Sequence, residues 1–305
     1  MYTFIVNPNS RSGKGLDIWK LVERDLQKRQ VQYTVFFTKY QNHATSFVRE
    51  LTSNDTIHTL IVLGGDGTLN EVVNGIVSPD KITLGYIPTG SGNDFARSFG
   101  ISKDPLQALE SILNPHQIVH MDIGIIRFEK KERRFAVSTG IGFDASICHE
   151  AVVSKWKRLL NRIHLGKFTY ALIAIHQLIV SSTFRLNILL DGTESFHLSD
   201  CWFAAVMNHP CEGGGFYFCP DAKPDDGYLD LLIVSGLKSP ALLISLLLAL
   251  FGLHTRLPGM HLYRCKNVSI ESSCALPVHT DGEPIFLQRC FTASTADFSL
   301  KIIIS

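Results

Sequence analysis

The sequence predicts a first half of α/β class, built on a parallel sheet, joined to a second half of mostly antiparallel β-structure arranged as a sandwich. Two patterns carry this reading. Up to about residue 120, short β-rich runs alternate with helical patterns, and beyond Asp122 strand-like runs follow one another with few helices between them. The length, 305 residues, also suits two units, at a typical size of about 150 residues each.

Residues 2–7, 32–38, 58–63 and 82–88 read as strands, each ending at a polar or glycine-rich turn, and residues 16–30, 43–51 and 69–77 read as helices between them. Parallel βαβ units bind ligands at the carboxyl ends of their strands, so function is expected in the residues just after each strand. In the second half, residues 123–128, 134–139, 183–190, 195–208, 228–234, 267–271 and 291–304 are strand-like, with helices near 168–180 and 240–253. The boundary falls near Met121-Asp122, which makes 1–121 the first unit. No internal repeat, low-complexity tract or linker interrupts it.

Lysine plus arginine number 29 and aspartate plus glutamate 28, a formal net charge of +1. That balance excludes a broadly basic nucleic-acid binder and an acidic disordered chain, while leaving room for a local basic patch. The N-terminus lacks the basic and long apolar regions of a signal peptide and turns polar at Asn7-Pro8, so a cytoplasmic protein is expected. Seven cysteines without a C-x-x-C pair read as buried free thiols. The sequons at 54–56 and 267–269 are chance matches in a chain of this kind. The longest apolar run, Ala241 to Leu253, falls short of the roughly 20 residues of a spanning helix. It reads either as a buried helix begun by Ser239 as N-cap and Pro240 at N1, or as a greasy element at a lipid-accessible surface.

The strand at 58–63 runs into Gly64-Gly65-Asp66-Gly67-Thr68-Leu69-Asn70-Glu71-Val72. Three glycines in four residues before a helix let backbone N–H groups approach an anion, and the helix N-terminus favours it: this is phosphate-binding geometry. Asp66 among them would repel phosphate, which suggests a bridging Mg²⁺. The strand at 82–88 delivers Thr89-Gly90-Ser91-Gly92-Asn93-Asp94, and the first strand delivers Asn7-Pro8-Asn9-Ser10 and Gly13. Three such loops at one sheet edge would cradle a nucleoside triphosphate. Gly13-Lys14 lacks the P-loop frame, and the G-x-G-x-x-A at Gly140 to Ala145 stands alone in a β-rich region, so neither a P-loop NTPase nor a dehydrogenase is supported.

Five ordered runs, GGDGTLNEV (64–72), PTGSGNDFAR (88–97), MDIG (121–124), GGGFYFCPDAKPDDGYLD (213–230) and HTDGEP (279–284), resemble the diacylglycerol kinase catalytic family, soluble bacterial lipid kinases related to sphingosine kinases. The resemblance implies an NAD kinase-like or phosphofructokinase-like α/β domain and a β-sandwich with the nucleotide site between them. It also implies that a C-terminal strand, about 291–305, returns to the first domain, which leaves 122–290 as the β-sandwich lipid-substrate domain. By the same carry-over, Asn7, Pro8, Asn9, Ser10, Gly13, Thr38, Gly64, Gly65, Asp66, Gly67, Thr68, Leu69, Asn70, Ser91, Asn93 and Asp94 would bind ATP. Ser91 stands where the family most often has threonine, and keeps the hydroxyl.

Phosphoryl transfer needs an in-line hydroxyl, cations on the phosphates and a proton acceptor. Asp281 and Glu283 flank a glycine in a tight turn and could converge on one cleft; the resemblance points to Glu283 as acceptor, with Asp281 also plausible. Asp66, Asp94 and Asp122 would together hold catalytic Mg²⁺, a grouping that rests on the resemblance and the loop order. The run 223–230 looks like the family's second metal loop, with the carbonyls of Lys223 and Tyr228 and the carboxylate of Asp226 as ligands. The implied activity is an ATP- and Mg²⁺-dependent lipid kinase acting on diacylglycerol at a bilayer surface, attached peripherally to the inner face of the membrane. No nucleic acid is implied, and a homodimer is compatible. Lys155 to Arg162 is the nearest thing to a basic amphipathic helix. The alternatives are an NAD kinase, which shares GGDGT, and an inactive nucleotide- or lipid-binding regulator, which the retained carboxylates disfavour.

Overall fold

In the computed structural model, which describes residues 1–54, 56–153 and 166–305, the β-rich runs of both halves join one sheet of thirteen strands. Strands β1 (Tyr2–Val6), β2 (Tyr33–Phe37), β3 (His58–Gly64) and β4 (Ile82–Pro88) are parallel in the order β2-β1-β3-β4. Helices α2 (Gly15–Lys28), α3 (His43–Leu51), α4 (Asp66–Gly75), α5 (Asp94–Phe99) and α6 (Pro105–Leu113) pack around them, and α1 (Ser10–Gly13) is a single turn. Leu60, Ile61, Val62 and Leu63 of β3 are all fully buried, as a central parallel strand covered on both faces requires.

The second half contains β5 (Ile118–Phe128), β6 (Lys131–Phe135), β7 (Ser138–Gly142), α7 (Phe143–Val153), β8 (Phe184–Leu190), β9 (Glu194–Met207), β10 (Leu229–Ser235), β11 (Met260–Cys265), β12 (Asn267–Thr280) and β13 (Glu283–Ile303). Phe184, Leu186, Ile188 and Leu190 of β8 are buried while the residues between them are exposed, the alternation of an antiparallel sheet with one wet face. β13 bridges the two halves. Its early part pairs antiparallel with β12, and its end pairs parallel with β4 through Lys301↔Thr83 and Ile302↔Leu84. Leu300 and Ile302 lie in the same core as Phe4, Trp19 and Leu60, together with Met121 and Ile123 from the start of β5.

Several elements differ from the sequence pattern. The run 134–139 is two strands, broken at Ala136-Val137, because the N–H groups of that break turn to the Asp281 carboxylate. The strand at 267–271 extends to Thr280 and the one at 291–304 begins at Glu283, so the two form one hairpin around Asp281-Gly282. Helix α7 and strand β11 carry no amphipathic signal strong enough to read. In the helix Ser239–Ala249 the N-cap is Lys238, so Ser239 and Pro240 sit one position further in than predicted. Leu242, Ser245 and Ala249 face inward, whereas Leu243, Ile244 and Leu247 are exposed, so this helix is buried on one side only. Among the described residues no helix is long and apolar enough to cross a membrane. The cysteines are free; Cys274 and Cys290, expected inside, are exposed on β12 and β13. Lys155 to Arg162 lies outside the described residues.

Candidate active site

The three glycine-bearing loops meet at the carboxyl ends of β1, β3 and β4. Asn7 Nδ2 donates to Thr68 Oγ1 at 3.0 Å, Ser10 Oγ lies 2.7 Å from Thr89 Oγ1, and the Thr89 N–H donates to the Gly64 carbonyl at 2.8 Å. A Cβ on Gly90 would come within 2.7 Å of Gly65 Cα, so two of the loops touch glycine to glycine. Gly67 serves differently: a Cβ there would lie 2.7 Å from Glu283 Oε1, so its missing side chain admits the Glu283 carboxylate to the start of α4. Asn7, Asn9, Thr38, Thr68 and Glu283 line one cavity of about 320 Å³, which Lys39, Tyr40, Gln41 and Glu71 complete.

Other predicted residues serve the frame. Leu69 is 1% exposed and belongs to the first core. Asn93 binds the N–H and the carbonyl of Gly90, at 2.9 and 3.0 Å, and so locks its own loop. Asn70 donates to Asp281 Oδ2 at 2.7 Å and to the Arg134 carbonyl at 3.1 Å, and accepts from the Arg133 guanidinium at 2.7 Å. The side chains of Leu69, Asn70 and Asn93 are therefore engaged within the protein. Ser91 is exposed at its loop tip, Pro8 flanks the cavity loop, and Gly13, at φ +94°, ends the single turn α1.

The two carboxylates of the turn are treated very differently. Asp281, at φ +48°, accepts from Asn70 Nδ2 and the Ala136 N–H on Oδ2, and from the Val137 and Ser138 N–H groups on Oδ1, all between 2.7 and 3.0 Å. Four donors hold it, so it is a clamp on the break between β6 and β7 rather than an acceptor open to substrate. Glu283 instead reaches the cavity lined by Asn7, Thr38 and Thr68.

The predicted trio of aspartates divides into a pair and a single. Asp66 accepts from the Asp94 and Phe95 N–H groups at 3.3 and 3.4 Å, and the carboxylates of Asp66 and Asp94 lie 3.3 and 3.4 Å from where a Gly92 Cβ would stand. Burial, then the neighbouring Asp94, pushes Asp66 up to about 7. Burial also raises Asp94, against the Gly214 N–H at 2.7 Å and the paired Arg97 guanidinium. Two buried carboxylates side by side with one guanidinium lack one positive charge, and their hard oxygen donors fit Mg²⁺. Asp122 joins another loop: it accepts from the Gly227 N–H at 2.6 Å, and its own N–H donates to the Pro224 carbonyl at 2.7 Å.

In that loop, from Lys223 to Tyr228, the predicted ligand Asp226 has partners within the protein. Asp226 Oδ1 accepts from the Tyr228 N–H at 3.1 Å, and its Oδ2 is paired with the Arg264 guanidinium. Arg264 in turn lies 4.6 Å over the Tyr228 ring, with Lys266 at 5.2 Å. The carboxylate expected on a cation is thus paired with a guanidinium from β11 in this structure.

Behind the turn lies a buried group that the motifs do not reveal, formed by Asp144, Glu212 and His279, whose ligand atoms are all within 4.8 Å of one another. The Gly282 N–H donates to His279 Nδ1 at 3.2 Å, which places the imidazole proton on Nε2, 3.1 Å from Asp144 Oδ2. Burial pulls this imidazole down and Asp144 and Glu212 pull it up, but the Gly282 donor needs a bare nitrogen. Ser138 Oγ donates to Glu212. The lone G-x-G-x-x-A thus has a structural role, because a Cβ on Gly140 would fall 2.1 Å from Asp144 Oδ2.

Residues 1–126 match the family described as "Diacylglycerol kinase catalytic domain" and residues 137–289 the one described as "YegS C-terminal NAD kinase beta sandwich-like domain". The chain is 34% identical over 289 residues to "Putative lipid kinase YtlR" of Bacillus subtilis (strain 168), covering 92% of each protein. It is 32% identical over 278 residues to a diacylglycerol kinase of Staphylococcus aureus (strain JH9), covering 90% of this chain and 84% of that one. Its fold is similar to a solved diacylglycerol kinase from Bacillus anthracis str. Sterne, with a TM-score of 0.75 at 24% identity over 100% of this chain and 96% of the other. With its glycine loops, its Asp66–Asp94 pair and a glutamate let into the cleft by Gly67, the chain belongs to the diacylglycerol kinase catalytic family.

Proposed function

We propose that this lipid kinase transfers the γ-phosphoryl group of ATP to the hydroxyl of diacylglycerol, giving phosphatidate. The observation that carries the reading is the Glu283 carboxylate seated against Gly67, in the same cavity as Asn7, Thr38 and Thr68. The N-terminus of α4 and the glycine loops receive the phosphates through backbone N–H groups. Glu283 takes the proton as the acceptor oxygen bonds to the γ-phosphorus, and the bond from that phosphorus to the β-γ bridging oxygen breaks to release ADP. Asp281 acts as a positioning residue that fixes the turn through its four donors. Mg²⁺ held by Asp66 and Asp94 would offset the charge of the phosphates. The lipid acceptor is drawn from a bilayer to which the protein attaches peripherally.

The test is incubation of the full chain with labelled ATP, Mg²⁺ and mixed micelles of diacylglycerol, a sphingoid base or another lipid alcohol. Labelled phosphatidate that disappears with E283Q is expected. A product only with a different lipid would reassign the acceptor, and NADP formed from NAD with no labelled lipid would overturn the reading.

A further inference from the structure

A net charge of +1 gives this chain no bulk attraction to an anionic surface, so any such attraction has to be local. Among the described residues, one place that offers it is a second cavity, of about 520 Å³, that shares Glu71 with the nucleotide cavity. Arg49 from the last turn of α3 and Lys131 and Arg133 from β6 face it. The acids on its wall are engaged elsewhere. Glu71 accepts from the Asn42 and Ala44 N–H groups at 2.8 and 3.1 Å, and Glu132 pairs with Arg127 at 2.8 Å. Neither Arg49 nor Lys131 is paired with a carboxylate among the described residues. Burial holds the adjacent Arg134 guanidinium below its ordinary value, with Glu132 opposing and Arg49 adding a smaller push in the same direction.

The opposite wall is apolar. Between β12 and β13 the register passes from His279↔Pro284 to Pro277↔Leu287, so β13 carries one extra residue, a bulge at Ile285-Phe286. Phe286 sits at φ +72°, a conformation that bulky side chains rarely adopt, and its ring is 78% exposed. Leu287 beside it is 59% exposed. A strained backbone that turns an aromatic ring outward, beside unpaired cations, is the pairing of features that a bilayer interface uses: charge for the headgroup and apolar rings for the acyl boundary.

We infer that this cavity and its rim are a docking surface for an anionic phospholipid bilayer, with Arg49, Lys131 and Arg133 taking a phosphate headgroup and Phe286 and Leu287 entering the acyl boundary. The inference rests on the lipid kinase reading for its choice of partner. A free phosphate would engage the cations and leave the exposed Phe286 and Leu287 without a role. The surface begins at Pro284, next to Glu283, so docking there would bring the bilayer to the mouth of the cleft.

Flotation of the full chain with vesicles of phosphatidylcholine alone, or with added phosphatidylglycerol, tests this. Wild type is expected to float with the anionic vesicles only. R49E/K131E should weaken that binding by about tenfold or more, and F286S should weaken it with the salt dependence retained. The melting temperature of R49E/K131E and its turnover of a short-chain, water-soluble acceptor without vesicles should match wild type; should the double variant fail to fold, R49Q and K131Q separately give the same reading. Equal flotation of wild type and folded charge variants would overturn the inference. Displacement from vesicles by inorganic phosphate at matched ionic strength would overturn it in favour of a free-phosphate site, and displacement by MgATP in favour of an extension of the nucleotide cavity. Flotation needs no turnover, so absence of a labelled lipid product would sink the kinase reading alone.

Discussion

Asp66 and Asp94 share a cleft in which one guanidinium, Arg97, pairs with Asp94, whereas Asp226 stands on a partly exposed loop under Arg264. In the cleft, burial raises both carboxylates, Asp66 to about 7, and Arg97 answers only Asp94. At the loop, Asp230 is also raised by burial, to about 6, with Arg264 opposing, and Asp226 is neutralised by that same residue. The difference is where the counter-charge comes from. In the cleft Asp66 has no paired guanidinium among the described residues, whereas the loop takes its counter-charge from its own chain.

The contrast is sharpest where chemistry is expected. E283Q should lower kcat by about a thousandfold with the KM for ATP little changed; a change in KM alone would make Glu283 a binding residue. D66N should lower kcat by about a hundredfold and raise the Mg²⁺ concentration needed for half-maximal rate. D226N should leave that Mg²⁺ requirement where it is, and an equal shift in both variants would break the comparison.

Smaller effects should appear in stability. D281N leaves three backbone donors facing an amide, and should cost about 3 kcal/mol in denaturant unfolding. Burial pushes Glu212 up to about 7 from its ordinary 4.5. The folded state therefore keeps a proton that the unfolded chain gives up, and stability falls as pH rises from the unfolded value through about 7. Melting curves between about pH 5 and about pH 8 should show wild type losing stability relative to E212Q. R264M, which removes a half-exposed pair, should cost no more than about 1 kcal/mol; a larger loss would mean that Arg264 organises the whole loop.

The parallel strands were legible because each is a short β-rich run closed by a polar or glycine turn, and the strands align within a residue or two. The glycine loops were legible for a related reason: only glycine allows the approach of Gly65 to Gly90 and of Gly67 to Glu283, so the requirement is written in residue type. The aspartates were not. Asp66 and Asp94 each open a helix and Asp122 lies within β5, and nothing local says that Asp122 turns to Gly227 while Asp94 turns to Gly214. Arg133, Lys39 and Glu212 lie outside every motif run; Asp144 and His279 stand in two separate runs, 140–145 and 279–284, and nothing local joins them to each other or to Glu212.

By itself, then, the sequence determined the alternation of strands and helices, the glycine-lined nucleotide loops and the family, because periodicity and glycine content are local properties of a chain. Only the tertiary structure decided which carboxylates reach the cleft and which are held by donors within the protein. Asp281 is saturated by donors from Ala136, Val137 and Ser138, more than 140 residues earlier in the chain, and Asp226 is neutralised by Arg264 from another strand. The role of a charged side chain is set by the donors and cations folded against it, and the field of a charge reaches across space without regard to distance along the sequence.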